Sequence, residues 1–73
     1  MPNKPRRQGT PLSKREREVL LKLSQGFTVV AAAEALGIAP STVGAHKKSI
    51  LQKMGAHSIT EAVGLGLREG IIK

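Results

Sequence analysis

Several residue types are missing from this chain of 73 residues. It has no cysteine, tryptophan, tyrosine or aspartate, and it has a single phenylalanine. The lack of cysteine excludes a disulfide framework and any thiolate chemistry. The lack of aromatic rings argues against stacking on the bases of single-stranded nucleic acid and against insertion into a membrane surface.

Long apolar runs are also missing. None approaches the roughly 20 residues that span a bilayer, and the N-terminal stretch MPNKPRRQGTP lacks the apolar core of a signal peptide. We therefore expect a cytoplasmic, nucleoid-associated protein. The length allows one small domain, which buries only about 60% of its unfolded surface.

The groups needed for catalysis are equally sparse. His46 and His57 are the only histidines, and they fall on different predicted elements. No nucleophile–base pair, metal-ligand cluster or glycine-rich phosphate loop is visible. The sequence therefore predicts no enzyme, no cofactor, no metal and no small-molecule ligand.

Basic residues, by contrast, are abundant. Twelve lysines and arginines stand against five acidic residues, giving a net charge of +7. Such a charge attracts polyanions, of which nucleic acid and an anionic membrane are the two main classes. Because the aromatic residues that would favour a membrane or single strands are lacking, the balance favours duplex nucleic acid.

The central feature of the chain is the stretch from residue 28 to residue 54. Ala33 is small enough for a close helix crossing, Gly37 can adopt the positive φ of a tight turn, and Val43 supplies an apolar anchor one turn into the next helix. This spacing is that of a helix-turn-helix. A generic pair of packed helices remains the alternative on spacing alone.

Caps and apolar periods predict an all-α, four-helix domain over residues 11–73. The helices are expected at 13–25, 28–36, 40–54 and 58–69, with capping boxes beginning the first and the last. Residues 1–10 are predicted to be a disordered basic arm. Such an arm either stays solvated or lies along phosphates or in a minor groove.

The third predicted helix carries the candidate DNA contacts. Val43, Ile50 and Met54 form its inner stripe, so the opposite face is free to enter a major groove. That face and its flanks contain Ser41, Gly44, Ala45, Lys47, Lys48, Ser49, Gln52 and Lys53.

The fourth predicted helix carries apolar residues in excess of what covers the other three. Its glycines leave a shallow surface that a partner helix could approach, which favours a dimer contact. The candidate residues are Ile59, Ala62, Val63, Leu65, Gly66, Ile71 and Ile72.

With four helices laid out, the chain resembles the DNA-binding domain of the LuxR family. The matching runs are LSKREREVL (12–20), AEALGIAPSTV (33–43), ILQKMG (50–55) and EAVGLGLREGII (61–72). The resemblance implies a recognition helix at helix 3, a dimer contact at helix 4 and binding to inverted repeats near bacterial promoters. The chain looks like the short, free-standing members, and the absence of aspartate excludes a receiver-type phosphoacceptor.

The resemblance also implies roles for single residues. Thr42, His46 and Lys53 match positions near the phosphate backbone, and Lys48 matches a position that faces the groove. Five positions depart from the family pattern. Gly44 replaces a basic residue, and Val29 and outward-facing Val30 replace polar ones. Ala39 replaces a capping serine, and Ile59 replaces an arginine.

Two classes of function follow from these observations. The first is a dimeric regulator that reads duplex DNA. The second is an interaction module that heterodimerises with a related regulator, or binds RNA polymerase, with weak or non-specific DNA binding. A third possibility, a domain like region 4 of a sigma factor, fits the length and the last block less well.

Overall fold

The computed structural model describes residues 12–72 and forms four α-helices over that range. They are α1 (Lys14–Ser24), α2 (Val29–Leu36), α3 (Pro40–Met54) and α4 (Ile59–Arg68). The all-α prediction is confirmed for these residues, and each predicted boundary lies within one residue of the observed one. The arm predicted at 1–10 lies outside the described residues.

The N-termini of α1 and α4 differ in how they are capped. At α1 the Ser13 hydroxyl accepts from the Glu16 N–H at 3.1 Å, and the Glu16 carboxylate accepts from the Ser13 N–H at 2.8 Å. This capping box is confirmed. At α4 the Ser58 hydroxyl accepts from the Glu61 N–H, but the Glu61 carboxylate accepts from the His57 N–H at 2.7 Å.

The second predicted capping box is therefore wrong in one bond, because the Glu61 carboxylate does not accept from the Ser58 N–H. Ser58 has φ −152°, whereas Ser13 has φ −68°. This rotation turns the preceding peptide, and the N–H of His57 is the one that faces the carboxylate. Glu61 still satisfies a free donor before the helix, which is the purpose of such a cap.

The turn between α2 and α3 closes as the sequence predicts. Gly37 has φ 71° and ψ 31° and caps the C-terminus of α2. The Gly37 N–H donates to the Glu34 carbonyl, and the Ile38 N–H donates to the Ala33 carbonyl at 3.0 Å. This pair of bonds is a Schellman motif, which needs a residue that tolerates positive φ.

The core lies where α1, α3 and α4 meet, with α2 packed on α1 and α3. Its largest fully buried side chains are Leu20, Ile50, Val19 and Val43. The small residues Ala32, Ala33 and Ala62 are also buried, and they allow the helices to approach closely. Among residues 12–72, no helix has the length and apolar character needed to cross a membrane.

Three residues predicted for a dimer contact belong to this core instead. Ala62, Gly66 and Ile72 are buried inside the domain. The chain turns back after α4, where the N–H groups of Ile71 and Ile72 both donate to the Gly66 carbonyl. A Cβ at Gly66 would lie 3.2 Å from side-chain atoms of both Ile72 and Leu20. Burial leaves these three little surface for a second copy, and it depends on tertiary packing, since Ile72 covers Gly66 where the tail folds back and Ala62 is fully buried.

Candidate nucleic-acid interface

One face of α3 is open to solvent along the whole helix. Ser41, Ala45, Lys48 and Gln52 are exposed and follow each other at intervals of three and four residues. That spacing places them on one side of an α-helix. Val43 and Ile50, both fully buried, hold the opposite side in the core. The face is therefore polar, accessible and rigidly supported.

The beginning of α3 is also open. Thr42 is exposed beside Ser41. Pro40 occupies the first helical position, and Ala39 offers no side-chain hydrogen bond to the first turn. The missing cap agrees with the departure noted at Ala39. Two hydroxyl groups and an N-terminal helix dipole therefore face solvent at the same end, an arrangement that suits an anion.

Two of the ten predicted DNA contacts have their polar atoms directed at α1. The Ser49 hydroxyl donates to Glu16 Oε2 at 2.7 Å, and the Lys53 ammonium donates to Glu16 Oε1 at 2.9 Å. Glu16 itself is only 5% exposed. We call Glu16, Ser49 and Lys53 the carboxylate network. It joins the first turn of α1 to the second half of α3.

The carboxylate network keeps Glu16 charged. Burial raises the pKa of the Glu16 carboxyl, but hydrogen bonds from the Ser13 N–H, from Lys53 and from Ser49, together with the charge of Lys53, lower it further. The net result is a pKa of about 2 against an ordinary value of 4.5. A buried carboxylate is tolerated here because its oxygens are bonded and a cation lies beside it.

Glu16 is identifiable as a cap from the sequence, but its second role, as the acceptor for Ser49 and Lys53, was not predicted. The signal was present, because Val19, Leu20 and Leu23 follow Glu16 at three, four and seven residues and define the inward face of α1. A carboxylate on that face needs a partner inside the fold. Its partners on α3 follow only from how the two helices pack.

The remaining predicted contacts flank the exposed face. Gly44, His46 and Lys47 are half-buried on the two edges of α3. A Cβ added at Gly44 would meet nothing within 4 Å. Packing within the domain therefore does not require glycine at this position. On α2, Val30 is 65% exposed, as predicted, and leaves an apolar side chain at the surface.

The apolar surface of α4 differs from the predicted one. Ile59, Val63 and Leu67 follow each other at four-residue intervals and form a stripe along one edge. Leu67 is 53% exposed and was missing from the predicted contacts. Leu65 lies two residues away from Leu67, so the two point to different sides of the helix. The four-residue spacing alone could have identified Leu67.

Comparison with known proteins identifies the family to which this four-helix domain belongs. Residues 10–65 match the family described as bacterial regulatory proteins, luxR family. The chain belongs to the LuxR family. The match includes the described residues of α1, α2 and α3, the turn at Gly37 and most of α4.

Individual LuxR-family relatives agree with this assignment. The chain is 42% identical over 66 residues to the HTH-type transcriptional activator RamA of Corynebacterium glutamicum. These aligned residues cover 90% of this chain and 24% of the relative. It is 45% identical over 51 residues to the transcriptional regulatory protein UhpA of Salmonella typhimurium, covering 70% of this chain and 26% of the relative. It is 41% identical over 63 residues to the transcriptional regulatory protein YxjL of Bacillus subtilis, and the aligned residues cover 86% of this chain and 29% of the relative.

The chain spans about a quarter of the length of these relatives. What it shares with them is the helix-turn-helix domain of a transcriptional regulator, a DNA-binding module. Within this module the exposed face of α3 is accessible and carries the charge of Lys48.

Proposed function

We propose that this domain binds duplex DNA as a dimer, selects its sequence through the major groove and regulates transcription at the promoters it binds. The observation that carries the proposal is the open face of α3, which presents Ser41, Ala45, Lys48 and Gln52 opposite a fully buried anchor. A helix presented in this way fits the major groove.

Within this proposal the exposed residues take different roles. Lys48 has the reach for a guanine edge or a phosphate, and Gln52 can pair with an adenine. Ala45 can contact a thymine methyl group, while Ser41 and Thr42 suit a phosphate at the start of α3. His46 and Lys47 flank the face and suit the two phosphate strands.

Ser49 and Lys53 take a supporting role in the proposal. Their polar atoms bond Glu16, so they hold α3 on α1 instead of contacting DNA directly. Gly44 contributes no side chain, and it leaves room for the helix backbone to approach the groove. Direct reading of bases then depends on few residues, and DNA shape contributes the rest.

The dimer contact in this proposal is the stripe of Ile59, Val63 and Leu67 on α4. Exposed Leu67 continues the half-buried Ile59 and Val63 along one edge, so the three together offer an apolar strip that the same strip of a second copy can cover. A symmetric pair of domains would read two half-sites in inverted orientation.

The experiment that tests the proposal is a binding selection on random double-stranded DNA at near-physiological salt. Enrichment of an inverted repeat supports a dimeric, sequence-selective regulator and gives the spacing of its half-sites. Salt matters because non-specific binding to phosphates weakens steeply as salt rises.

The opposite outcome supports the second class of function. Enrichment of no sequence, with retention that vanishes at higher salt, means that the charge binds DNA but α3 does not read it. The exposed Val30 and the missing side chain at Gly44 are the features that favour this outcome. The domain would then act through a protein partner, such as a related regulator or RNA polymerase.

A further inference from the structure

A groove of about 350 Å³ opens between the outer side of α1 and the segment that follows α4. Its floor is apolar and its rim is charged. It is lined by Lys14, Arg17, Glu18, Leu21, Ile71 and Ile72. None of these residues belongs to the exposed face of α3 or to the α4 stripe.

The rim of the groove carries a net positive charge. Glu18 lies 3.1 Å from the guanidinium of Arg15, which offsets its charge locally. Arg17 donates to the carbonyl of Leu12 at 3.0 Å, a neutral partner that leaves the charge of the guanidinium uncompensated. Among residues 12–72, neither Lys14 nor Arg17 forms an ion pair.

The groove lies on a different side of α1 from the carboxylate network. Glu16 contacts α3, whereas Lys14 and Leu21, two turns apart, share the side that lines the groove. Positions two residues apart on a helix do not face the same way. A ligand in the groove and a ligand on α3 therefore use separate surfaces.

Charge decides which occupant fits the groove. Residues 1–11 carry Lys4, Arg6 and Arg7 and no acidic residue, so this segment would bring like charge to a positive rim. A symmetric second copy would place the same positive rim, Lys14 and Arg17, against itself, so self-association at this groove is disfavoured. An acidic ligand is complementary to the rim.

We propose that this groove binds an acidic amphipathic helix of a partner protein. Apolar side chains spaced by three and four residues would lie on Leu21 and Ile71, which is how a helix enters a groove. Glutamates on the flanks of that helix would pair with Lys14 and Arg17. The proposal does not depend on whether α3 reads DNA.

The test uses three synthetic peptides of about four helical turns and the intact chain labelled with ¹⁵N. The first peptide places leucines on one face and glutamates on the others. The second has the same composition with the leucines spread around the helix, and the third has lysine in place of glutamate. NMR titration measures where each binds and how tightly.

The first peptide is expected to bind the most tightly and to shift the resonances of Arg17, Leu21 and Ile71. Lys14→Glu should weaken binding of the first peptide roughly threefold or more, because the attraction between an exposed lysine and a peptide glutamate becomes a repulsion between two glutamates. An acidic residue in the first turn of α1 agrees with the helix dipole, so the fold is kept. Lys22→Glu is the control for net charge, since it makes the same change on the same helix outside the groove; because Lys22 lies in the last turn and over the Phe27 ring, urea denaturation checks that this variant is folded.

Three outcomes would overturn the proposal. Equal binding of the first two peptides would show attraction to net charge alone, and shifts centred on α3 would place the ligand on the other surface. A change in the groove resonances of the free protein on deletion of residues 1–10 would make that segment the occupant. Equal losses of affinity for the first peptide in Lys14→Glu and Lys22→Glu would also contradict the proposal.

Discussion

At the scale of single residues, Glu16 connects local and tertiary structure. Its carboxylate caps α1 through the Ser13 N–H and also accepts from Ser49 and Lys53 on α3. A buried acceptor with three donors is costly to remove, because all three hydrogen bonds are lost together and the buried site is left with unmatched polar groups. The orientation of α3 against α1 depends on this one side chain more than on any other polar group in the carboxylate network.

Replacing Glu16 by glutamine should therefore lower the free energy of unfolding by about 1–3 kcal/mol. Glutamine has the same shape, but its NH₂ group presents a donor where Lys53 or Ser49 also presents one. Urea denaturation of Glu16→Gln at neutral pH measures the loss.

Glu18→Gln is the matched control. Its partner Arg15 is 3.1 Å away, and the two side chains are 39% and 43% exposed. An exposed pair of this kind contributes less than about 1 kcal/mol. Equal stability losses in the two variants would contradict a special role for Glu16.

The same carboxylate predicts a pH dependence. Its pKa is about 2 in the folded domain against an ordinary value of 4.5. A depressed pKa means that the stabilisation is present above pH 4.5 and is lost as the pH falls towards 2, because in this range the unfolded chain binds a proton that the folded state does not. The loss amounts to roughly 3 kcal/mol.

Urea midpoints between pH 2 and pH 7 measure this dependence, and Glu16→Gln should flatten the acidic limb of the curve. If the variant and the parent chain lose stability in parallel between pH 4.5 and pH 2, the lowered pKa is not the cause. Other carboxylates, such as Glu61, whose pKa is lowered chiefly by the hydrogen bond from the His57 N–H, contribute to the background in both.

Two glycines provide a further prediction at this scale. Gly44→Ala should raise stability by about 0.5–1 kcal/mol, because alanine favours a helix and the site has open space for a Cβ. Gly66→Ala should bring no such gain, since its Cβ would lie 3.2 Å from Ile72 and Leu20. Thermal unfolding of both variants checks the difference.

The Gly44→Ala variant also tests why glycine is there. A variant that is more stable but binds DNA less tightly would indicate that the backbone of α3 approaches the groove closely. Unchanged affinity would indicate that this position faces no part of the DNA. A less stable Gly44→Ala would contradict the open space observed beside Gly44.

At the scale of elements, α3 has one face exposed to solvent and one edge that is hydrogen-bonded to Glu16 of α1. Lys48 belongs to the exposed face, whereas Lys53 donates to Glu16 at 2.9 Å. The two lysines are one and a half turns apart on the same helix, yet their surroundings differ. Net charge alone would not distinguish them.

Lys48→Ala should weaken DNA binding and reduce the slope of log affinity against log salt by about 0.9 if it neutralises one phosphate. Lys53→Ala removes the same charge but should leave that slope nearly unchanged and lower the stability instead. Affinity titrations at several salt concentrations, with urea denaturation of each variant, separate the two effects. A loss of slope in Lys53→Ala equal to that in Lys48→Ala would place Lys53 on the DNA.

At the scale of the whole molecule, the surfaces of the domain are divided among different elements. The face of α3, the α4 stripe and the groove beside α1 do not share residues. The core beneath them is built largely from small and branched side chains, among them Val19, Leu20 and Ala62. The three proposed contacts, with DNA, with a second copy and with a partner helix, therefore use separate residues.

Leu67→Ala tests the α4 stripe as a dimer contact. The side chain is 53% exposed, so its removal should leave the monomer folded while it weakens association. Binding to an inverted repeat should then weaken by on the order of tenfold, as for an interface residue worth more than 1 kcal/mol, while binding to a single half-site stays the same.

Val30→Ala is the matched control, because Val30 is the other large apolar residue that is well exposed among residues 12–72. Electrophoretic mobility shifts on full and half operators, with sedimentation to measure association, give the comparison. Equal effects of Leu67→Ala and Val30→Ala would contradict the stripe.

The sequence by itself determined the helices and their ends. Ser13 and Ser58 begin helices, Gly37 turns the chain, and the apolar periods identify Val43 and Ile50 as inward, because caps, positive φ and helical period are local properties. It also determined the family, since the matching runs follow one another in order along the chain.

Only the tertiary structure decided how side chains are shared between helices. Glu16 meets Ser49 and Lys53 across 33 and 37 residues of sequence, and Ile72 covers Gly66 because the tail folds back on α4. These contacts depend on the angle and height at which one helix packs on another. Apolar periodicity shows that a side chain faces inward, but it does not show which partner it meets there.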